Sequence, residues 1–218
     1  MVSIPPEGMN RYKACISYDG TEFHGFAPNP GVATVGGLIR TGLEKVLGVE
    51  TKITCAGRTD AGVHAKRQII SFDAKPIDIS QLENSLNQLC APHVSISSLE
   101  ETVPSFDARF SAKSRTYRYQ ILNQNYADPF LQRFVWHLRD RLDVNLMQEA
   151  SSLLVGEHDF SSFCRKRIVK IDNEKIEASL VREVQSLEIF RTDKNILEIW
   201  ATATSFCHQM VRSITGTL

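Results

Sequence analysis

The chain has 218 residues and 42% hydrophobic side chains, enough to bury one large core or two small ones. Its 25 basic and 25 acidic side chains balance, so a surface that binds a polyanion must be a local basic patch. The apolar runs are too short for a membrane span and the start lacks a signal-peptide pattern, so we expect a cytoplasmic protein that does not bind membranes. The five cysteines include no C-x-x-C pair, which argues against a zinc ribbon or disulfide scaffold and predicts free thiols.

The first half of the chain predicts the order β-α-β-β-α-β. Residues 13–18 alternate as a strand, and Thr34 is a suitable N-cap for the helix that follows. Two alternating segments flank residues 56–64, and Ser80 with Glu83 form a capping box for a second helix. One more alternating segment closes the series. This order is typical of a ferredoxin-like unit.

The second half predicts a similar order without the last strand. Residues 113–122 alternate as a strand, an insertion with a short strand at 134–138 follows, and a helix is expected near 144–155. A hairpin then turns at the polar residues 192–195. The final element is a helix over 206–214.

Together these elements predict an α+β fold with two ferredoxin-like halves, residues 1–108 and residues 109–218. We expect the halves to share one extended, mainly antiparallel sheet, with helices on one face and a catalytic cleft between them. The second half lacks its last strand, which leaves a sheet edge or apolar face uncovered. A second copy of the chain is expected to cover it, so the active form is predicted to be a homodimer.

Asp60 lies in the loop between two predicted strands, after Arg58 and before Gly62. If the strand period continued into the loop, Arg58 and Asp60 would point to one side, and the guanidinium would hold the carboxylate ionised and oriented. The plainer interpretation is a turn, in which the Asp bonds its own backbone and the Gly supplies a positive φ. From the local residues alone, both interpretations stay open.

Residues 57–64 read Gly-Arg-Thr-Asp-Ala-Gly-Val-His, and they closely resemble the catalytic motif of the tRNA pseudouridine synthase A family. Five further segments match that family in order, namely residues 14–21, 109–112, 115–119, 156–160 and 206–212. The resemblance implies that the chain isomerises uridine to pseudouridine at positions thirty-eight to forty of the tRNA anticodon stem-loop. Chains of that family continue past the equivalent of Leu218, so this chain is expected to be short at its C-terminus relative to them.

The resemblance also implies roles for single residues. Asp60 is the catalytic nucleophile, and Arg58 displaces and orients the target nucleotide. Tyr117 stacks on the flipped uracil, and Arg212 pairs with the catalytic aspartate. Judged by the residues alone, packing in a strand is favoured for Tyr117 and a solvent-exposed helix face for Arg212.

Basic residues cluster near the start of the second half. The segment 108–122 contains Arg109, Lys113, Arg115 and Arg118 but no acidic residue. It predicts an RNA-binding surface at Arg115 and Arg118, with a solvated face as the structural alternative.

The expected reaction breaks the bond from ribose C1′ to N1 of the base and forms a bond from C1′ to C5. No electrons are exchanged, so no cofactor and no metal are expected. The main alternative is a non-catalytic tRNA-binding or RNA-chaperone protein with the same fold. A third hypothesis is a Cys-His hydrolase that uses Cys55 or Cys207 with His64 or His208.

Overall fold

The computed structural model describes residues 3–165, 168–171, 174–192 and 194–218. It divides into two compact units, Met1–Ala112 and Lys113–Leu218. Each unit combines helices with a β-sheet and has a hydrophobic core of its own, which confirms the α+β class. The predicted division into ferredoxin-like domains after residue 108 stays a prediction. None of the described helices is long and apolar enough to cross a membrane.

The first unit has the predicted order β-α-β-β-α-β. Its elements are β1 (Asn10–Tyr18), α1 (Val35–Leu47), β2 (Thr54–Cys55), β3 (Ala65–Ala74), α2 (Ile79–Cys90) and β4 (Val94–Thr102). The strands form one antiparallel sheet in the order β2-β3-β1-β4. Alternate residues of the strands pack with apolar residues of both helices, among them Ile16, Ile39 and Leu82, which are almost completely buried.

The helix ends of this unit partly follow the sequence signals. Thr34 caps α1 by accepting a hydrogen bond from the Gly37 amide, as predicted. The capping box at Ser80 was wrong, because Asp78 caps α2 through the Gln81 amide. Glu83 bonds the amide of Leu99 at 2.8 Å instead, and so ties α2 to β4. A carboxylate two residues earlier in the chain is the acceptor that captures the free amides of the first helical turn.

The second unit contains more strands than predicted. Its elements are β5 (Arg115–Asn123), β6 (Trp136–Leu138), α3 (Val144–Ser152), β7 (Gly156–Asp159), β8 (Ile168–Ile171), β9 (Glu174–Glu177), β10 (Val181–Arg191), β11 (Ile196–Ala203) and α4 (Met210–Thr217). The main sheet has the order β6-β5-β11-β10-β7, with β6 parallel to β5, while β8 and β9 form a separate ribbon. The strand β7 was missed because three of its four residues are exposed, so it shows no alternation of apolar side chains.

The described strands form two principal sheets, one within each unit. Three of the four outer strands are short, since β2 has two residues, β6 three and β7 four.

Two cysteines of the second unit differ from the prediction of free thiols. Cys164 and Cys207 are joined as a disulfide, with their Cα atoms 5.8 Å apart, inside the usual range for such a bond. They are 43 residues apart in the chain, so no local spacing indicated the pair. Cys15, Cys55 and Cys90 are not disulfide-bonded, as predicted.

Candidate active site

Asp60 opens a tight turn in the loop between β2 and β3. The Val63 amide donates to the Asp60 carbonyl at 3.2 Å, and Gly62 has a φ of 76°, which glycine adopts without strain. The turn interpretation is therefore correct for the backbone. Asp60 is the first residue of the turn, and its side chain is half-buried.

Three hydrogen bonds hold this loop against the end of β1 and the segment that follows it. The Tyr18 hydroxyl and the Thr59 hydroxyl are 2.9 Å apart. The Phe26 amide donates to the Thr59 carbonyl at 3.1 Å, and the Gly62 amide donates to the Phe23 carbonyl at 3.2 Å. The residues on both sides of Asp60 are thus fixed by bonds to one neighbouring segment.

Two glycines let that segment approach the loop closely. A Cβ atom on Gly20 would lie 2.0 Å from the Val63 carbonyl oxygen, which no real side chain allows. A Cβ atom on Gly25 would lie 2.8 Å from the Thr59 carbonyl oxygen, and Gly25 also has a positive φ of 90°. Both positions require glycine because the backbone of the Asp60 loop occupies the space of a side chain.

The segment around Phe26 also joins the loop to helix α1. The Val35 amide donates to the Gly25 carbonyl at 3.1 Å, and the Gly36 amide donates to the Phe26 carbonyl at 2.9 Å. The first free amides of α1 are therefore satisfied by the same segment that holds Thr59. The Asp60 loop is therefore connected through this segment to helix α1, whose inner face is buried in the core of the first unit.

His64 closes the loop on its other side. Its Nδ1 atom is 2.9 Å from Asp19 Oδ1 and 3.1 Å from the backbone nitrogen of Gly20. One nitrogen cannot donate to the carboxylate and accept from the amide at once, and the Asp19 contact is the shorter of the two. Either arrangement ties the end of the Asp60 loop to the end of β1.

Arg58 does not hold Asp60 in the way the strand period suggested. Its side chain is exposed, and within the described part of the chain it makes no hydrogen bond or ion pair. The reason is that β2 ends at Cys55, so the two-residue period does not reach Arg58 and Asp60.

Tyr117 lies in β5 of the second unit and is half-buried. Its ring meets the Phe206 ring edge to face, with centroids 5.1 Å apart. Tyr119, two residues on, contacts Trp136 in the same edge-to-face geometry at 6.4 Å. Both tyrosines therefore lie on one face of β5, and both have an aromatic neighbour.

Arg115 and Arg118 are both engaged within the second unit. Arg115 donates to the Thr204 carbonyl at 2.7 Å. Arg118 lies 3.2 Å from Glu198, and its guanidinium stacks over the Trp200 ring. Glu198 is only 8% exposed, and it also accepts hydrogen bonds from Gln120 and Trp200. The solvated-face interpretation is therefore incomplete, because Arg118 neutralises a nearly buried acid.

Arg212 lies on an exposed face of α4, and its guanidinium has no hydrogen-bond partner in the described regions.

The cysteines of the hydrolase hypothesis are poorly placed for nucleophilic attack. Cys55 is buried in β2, and Cys207 is bonded to Cys164. A nucleophilic cysteine needs an accessible thiolate, so the structure argues against the Cys-His hydrolase.

Several supporting residues were missed from the sequence. Tyr18, Gly20 and Phe26 contact the Asp60 loop, yet they are more than thirty residues away from it in the chain. The signal that was available is the Asp-Gly pair directly after β1, which breaks the strand where a close backbone approach needs a glycine.

Comparison with known proteins agrees with the sequence motifs. Residues 150–218 match the profile of a family described as tRNA pseudouridine synthase. A tRNA pseudouridine synthase A of Listeria innocua is 39% identical over 96% of this chain and 83% of its own length. A protein of the same name from Brevibacillus brevis is 40% identical, and a tRNA pseudouridine synthase A 2 from Bacillus anthracis is 37% identical, with the same coverage.

Proposed function

Because the chain belongs to the tRNA pseudouridine synthase A family, we propose that it isomerises uridines at positions thirty-eight to forty of the tRNA anticodon stem-loop, with Asp60 as the nucleophile. The class of enzyme, a pseudouridine synthase, follows from family membership. The target positions and the role of Asp60 are the parts that we propose. The cytoplasm is the proposed location, since the curated relatives are bacterial tRNA-modifying enzymes.

The reaction moves a bond without changing the composition of the nucleoside. The bond between C1′ and N1 breaks, the uracil rotates, and a bond between C1′ and C5 forms. The proton on C5 is lost, and N1 gains a proton, so the mass stays the same. A carboxylate can serve this sequence by attacking the nucleoside covalently and by assisting proton removal.

The observation that carries the proposal is the way in which the Asp60 turn is held. A catalytic carboxylate acts best when its position is fixed before the substrate arrives. Thr59 is held by Tyr18 and Phe26, Gly62 is held by Phe23, and the loop end is held by His64. An ordinary surface turn has no need of so many restraints.

Three further side chains complete the proposed chemistry. Arg58 is exposed and can replace stacking that the target nucleotide loses when it leaves the helix. The aromatic face of Tyr117 is proposed to stack on the uracil, a contact that typically contributes about 1–3 kcal/mol. Arg212 is proposed to orient the Asp60 carboxylate, and its exposed guanidinium leaves it free to do so.

Arg115 and Arg118 are proposed to contact RNA phosphates. An arginine guanidinium has five N–H donors, and the contact of Arg118 with Glu198 is made by its Nη1 atom. The RNA affinity should therefore fall with salt concentration, with a slope that reflects a small number of phosphate contacts.

A homodimer is proposed because aromatic side chains of the second unit are exposed. Phe130 is 89% exposed, Tyr126 is 81% exposed and Trp136 is 43% exposed, all within residues 126–136. Exposed apolar residues grouped in this way are typical of an interaction surface. Light scattering should give the mass of a dimer, and Phe130→Ser should shift it towards the monomer. A monodisperse, active monomer at low concentration would contradict the dimer.

Turnover separates the enzyme from a non-catalytic RNA-binding protein. A tRNA transcript is incubated with the purified chain, and the uridine positions are mapped by selective derivatisation of pseudouridine followed by fragment mass spectrometry. We expect derivatised products at positions thirty-eight to forty. Tight RNA binding without product would favour the non-catalytic alternative, and product at other positions would contradict the proposed target.

A further inference from the structure

The second unit contains a polar pocket that lies outside the residues described for the candidate active site. It has a volume of about 690 Å³ and lies where β5 and β6 end and α3 begins. Its lining includes three arginines, Arg139, Arg141 and Arg191, against one acid, Asp143. Pockets for drug-sized organic ligands have similar volumes but are mostly apolar, so this lining indicates a charged or strongly hydrated ligand.

The Asn123 side chain forms hydrogen bonds with the segments that line the pocket. Its amide nitrogen donates to the carbonyl oxygens of Leu138 and Asp140, at 3.2 and 2.7 Å. Its amide oxygen accepts from the Leu142 amide at 3.3 Å and from Arg191 at 3.0 Å. One side chain at the end of β5 therefore fixes the chain before α3 and the arginine at the end of β10.

The other two arginines, Arg139 and Arg141, are exposed and make no hydrogen bond or ion pair with the residues that the structure describes. The one acid of the lining is already engaged, since Asp143 caps α3 by accepting from the amides of Asn145 and Leu146. The pocket thus holds guanidinium donors that the protein does not use itself.

We propose that this pocket binds the phosphodiester backbone of the RNA substrate at a place apart from the reacting nucleotide. Guanidinium groups match phosphate geometry with two parallel N–H donors, and side-chain amides such as that of Asn145 are common further phosphate contacts. The pocket lies eight residues along β5 from Arg115, about 26 Å at 3.3 Å per residue. It therefore contacts a different stretch of RNA than Arg115. This inference rests on the proposed function, because it takes tRNA as the ligand.

The test uses the variant Arg139→Gln/Arg141→Gln, both single variants, and Arg40→Gln as a matched control. Arg40 is an exposed arginine on helix α1 of the first unit, 3.6 Å from Glu44. Binding to a tRNA transcript is measured by fluorescence anisotropy over a series of salt concentrations. Thermal unfolding is expected to be unchanged, since the two pocket arginines hold no other residue.

The double variant should reduce the magnitude of the salt slope by about 0.7–0.9 for each lost contact, which at 0.1 M salt weakens binding about five- to eightfold per contact. The KM for tRNA should rise accordingly while kcat is unchanged, and Arg40→Gln should behave as the original chain. An unchanged affinity and salt slope in the double variant would overturn the inference.

A second arm distinguishes RNA from a small anion, with inorganic phosphate and pyrophosphate titrated by calorimetry. If the double variant loses phosphate binding but keeps its affinity for tRNA, the pocket holds a small anion and the inference is wrong. If the original chain makes no pseudouridine but its tRNA binding weakens in the double variant, the proposed activity fails and the pocket assignment stands. A chain that does not bind tRNA at all overturns both.

Discussion

Gly20→Ala is the sharpest test of how the Asp60 loop is positioned. The new Cβ atom would lie 2.0 Å from the Val63 carbonyl oxygen and 2.6 Å from its carbonyl carbon. Contacts below 3.0 Å essentially never occur for real Cβ atoms, so one backbone must move by at least the difference, about 1 Å. A misplacement of about 1 Å lowers catalytic rates by roughly 10²-fold, and we expect a loss of turnover of that order.

The assay is single-turnover pseudouridine formation at saturating tRNA, with thermal unfolding on the same sample. Overpacking of this kind typically costs about 1–3 kcal/mol of stability, so the variant should stay folded. Gly216→Ala is the control, because no described atom beyond its chain neighbours and its own helix backbone lies within 4 Å of the new Cβ, so it should keep full turnover. A folded Gly20→Ala variant with near-normal turnover would refute the claim that this contact positions the catalytic loop.

Three further variants test separate parts of the second unit and the core. Tyr117→Phe keeps the ring contact with Phe206 and should stay folded, but it should lose about 10²-fold or more in turnover if its hydroxyl takes part in proton transfer. Tyr119→Phe on the same strand face should be normal in both, and equal effects of the two changes would remove Tyr117 from the site. Arg118→Gln leaves the nearly buried Glu198 without its cation and should cost about 1–3 kcal/mol in denaturant unfolding, with partial rescue by Glu198→Gln; no rescue would disprove the pairing. Burial raises the pKa of Cys90 to about 11, so its thiol ionises in the unfolded chain before it does in the folded one. Stability should therefore fall between pH 9 and pH 11, less steeply in Cys90→Ala, and parallel pH curves would contradict the shifted pKa.

Local signals in the sequence predicted much of the fold. The strand period, the Thr34 cap and the order β-α-β-β-α-β of the first unit are confirmed, because each depends on residues close together in the chain. The Asp60 loop was located between two strands for the same reason. The sequence did not show which of two neighbouring side chains would accept the hydrogen bond at the start of α2. Asp78 is the N-cap, and not Ser80 as predicted.

Features that join distant residues could not be predicted. The Cys164–Cys207 bond joins positions 43 residues apart, and the contact of Gly20 with Val63 depends on how the β1 end meets the loop. The pocket next to α3 is lined by both Arg139, which follows β6, and Arg191, which ends β10. Such contacts depend on the pairing of strands, on which periodicity carries no information.

The role of Asp60 as the nucleophile is tested most directly by Asp60→Asn, with tRNA binding and pseudouridine formation measured on one preparation. The amide is nearly the same size as the carboxylate, and the substitution leaves the backbone bonds from Val63 to Asp60 and from Gly62 to Phe23 in place, so folding and RNA affinity should be preserved. An amide is neither a comparable base nor a comparable nucleophile, so no pseudouridine should form. A folded Asp60→Asn variant that binds tRNA and still turns over at a near-normal rate would contradict the account.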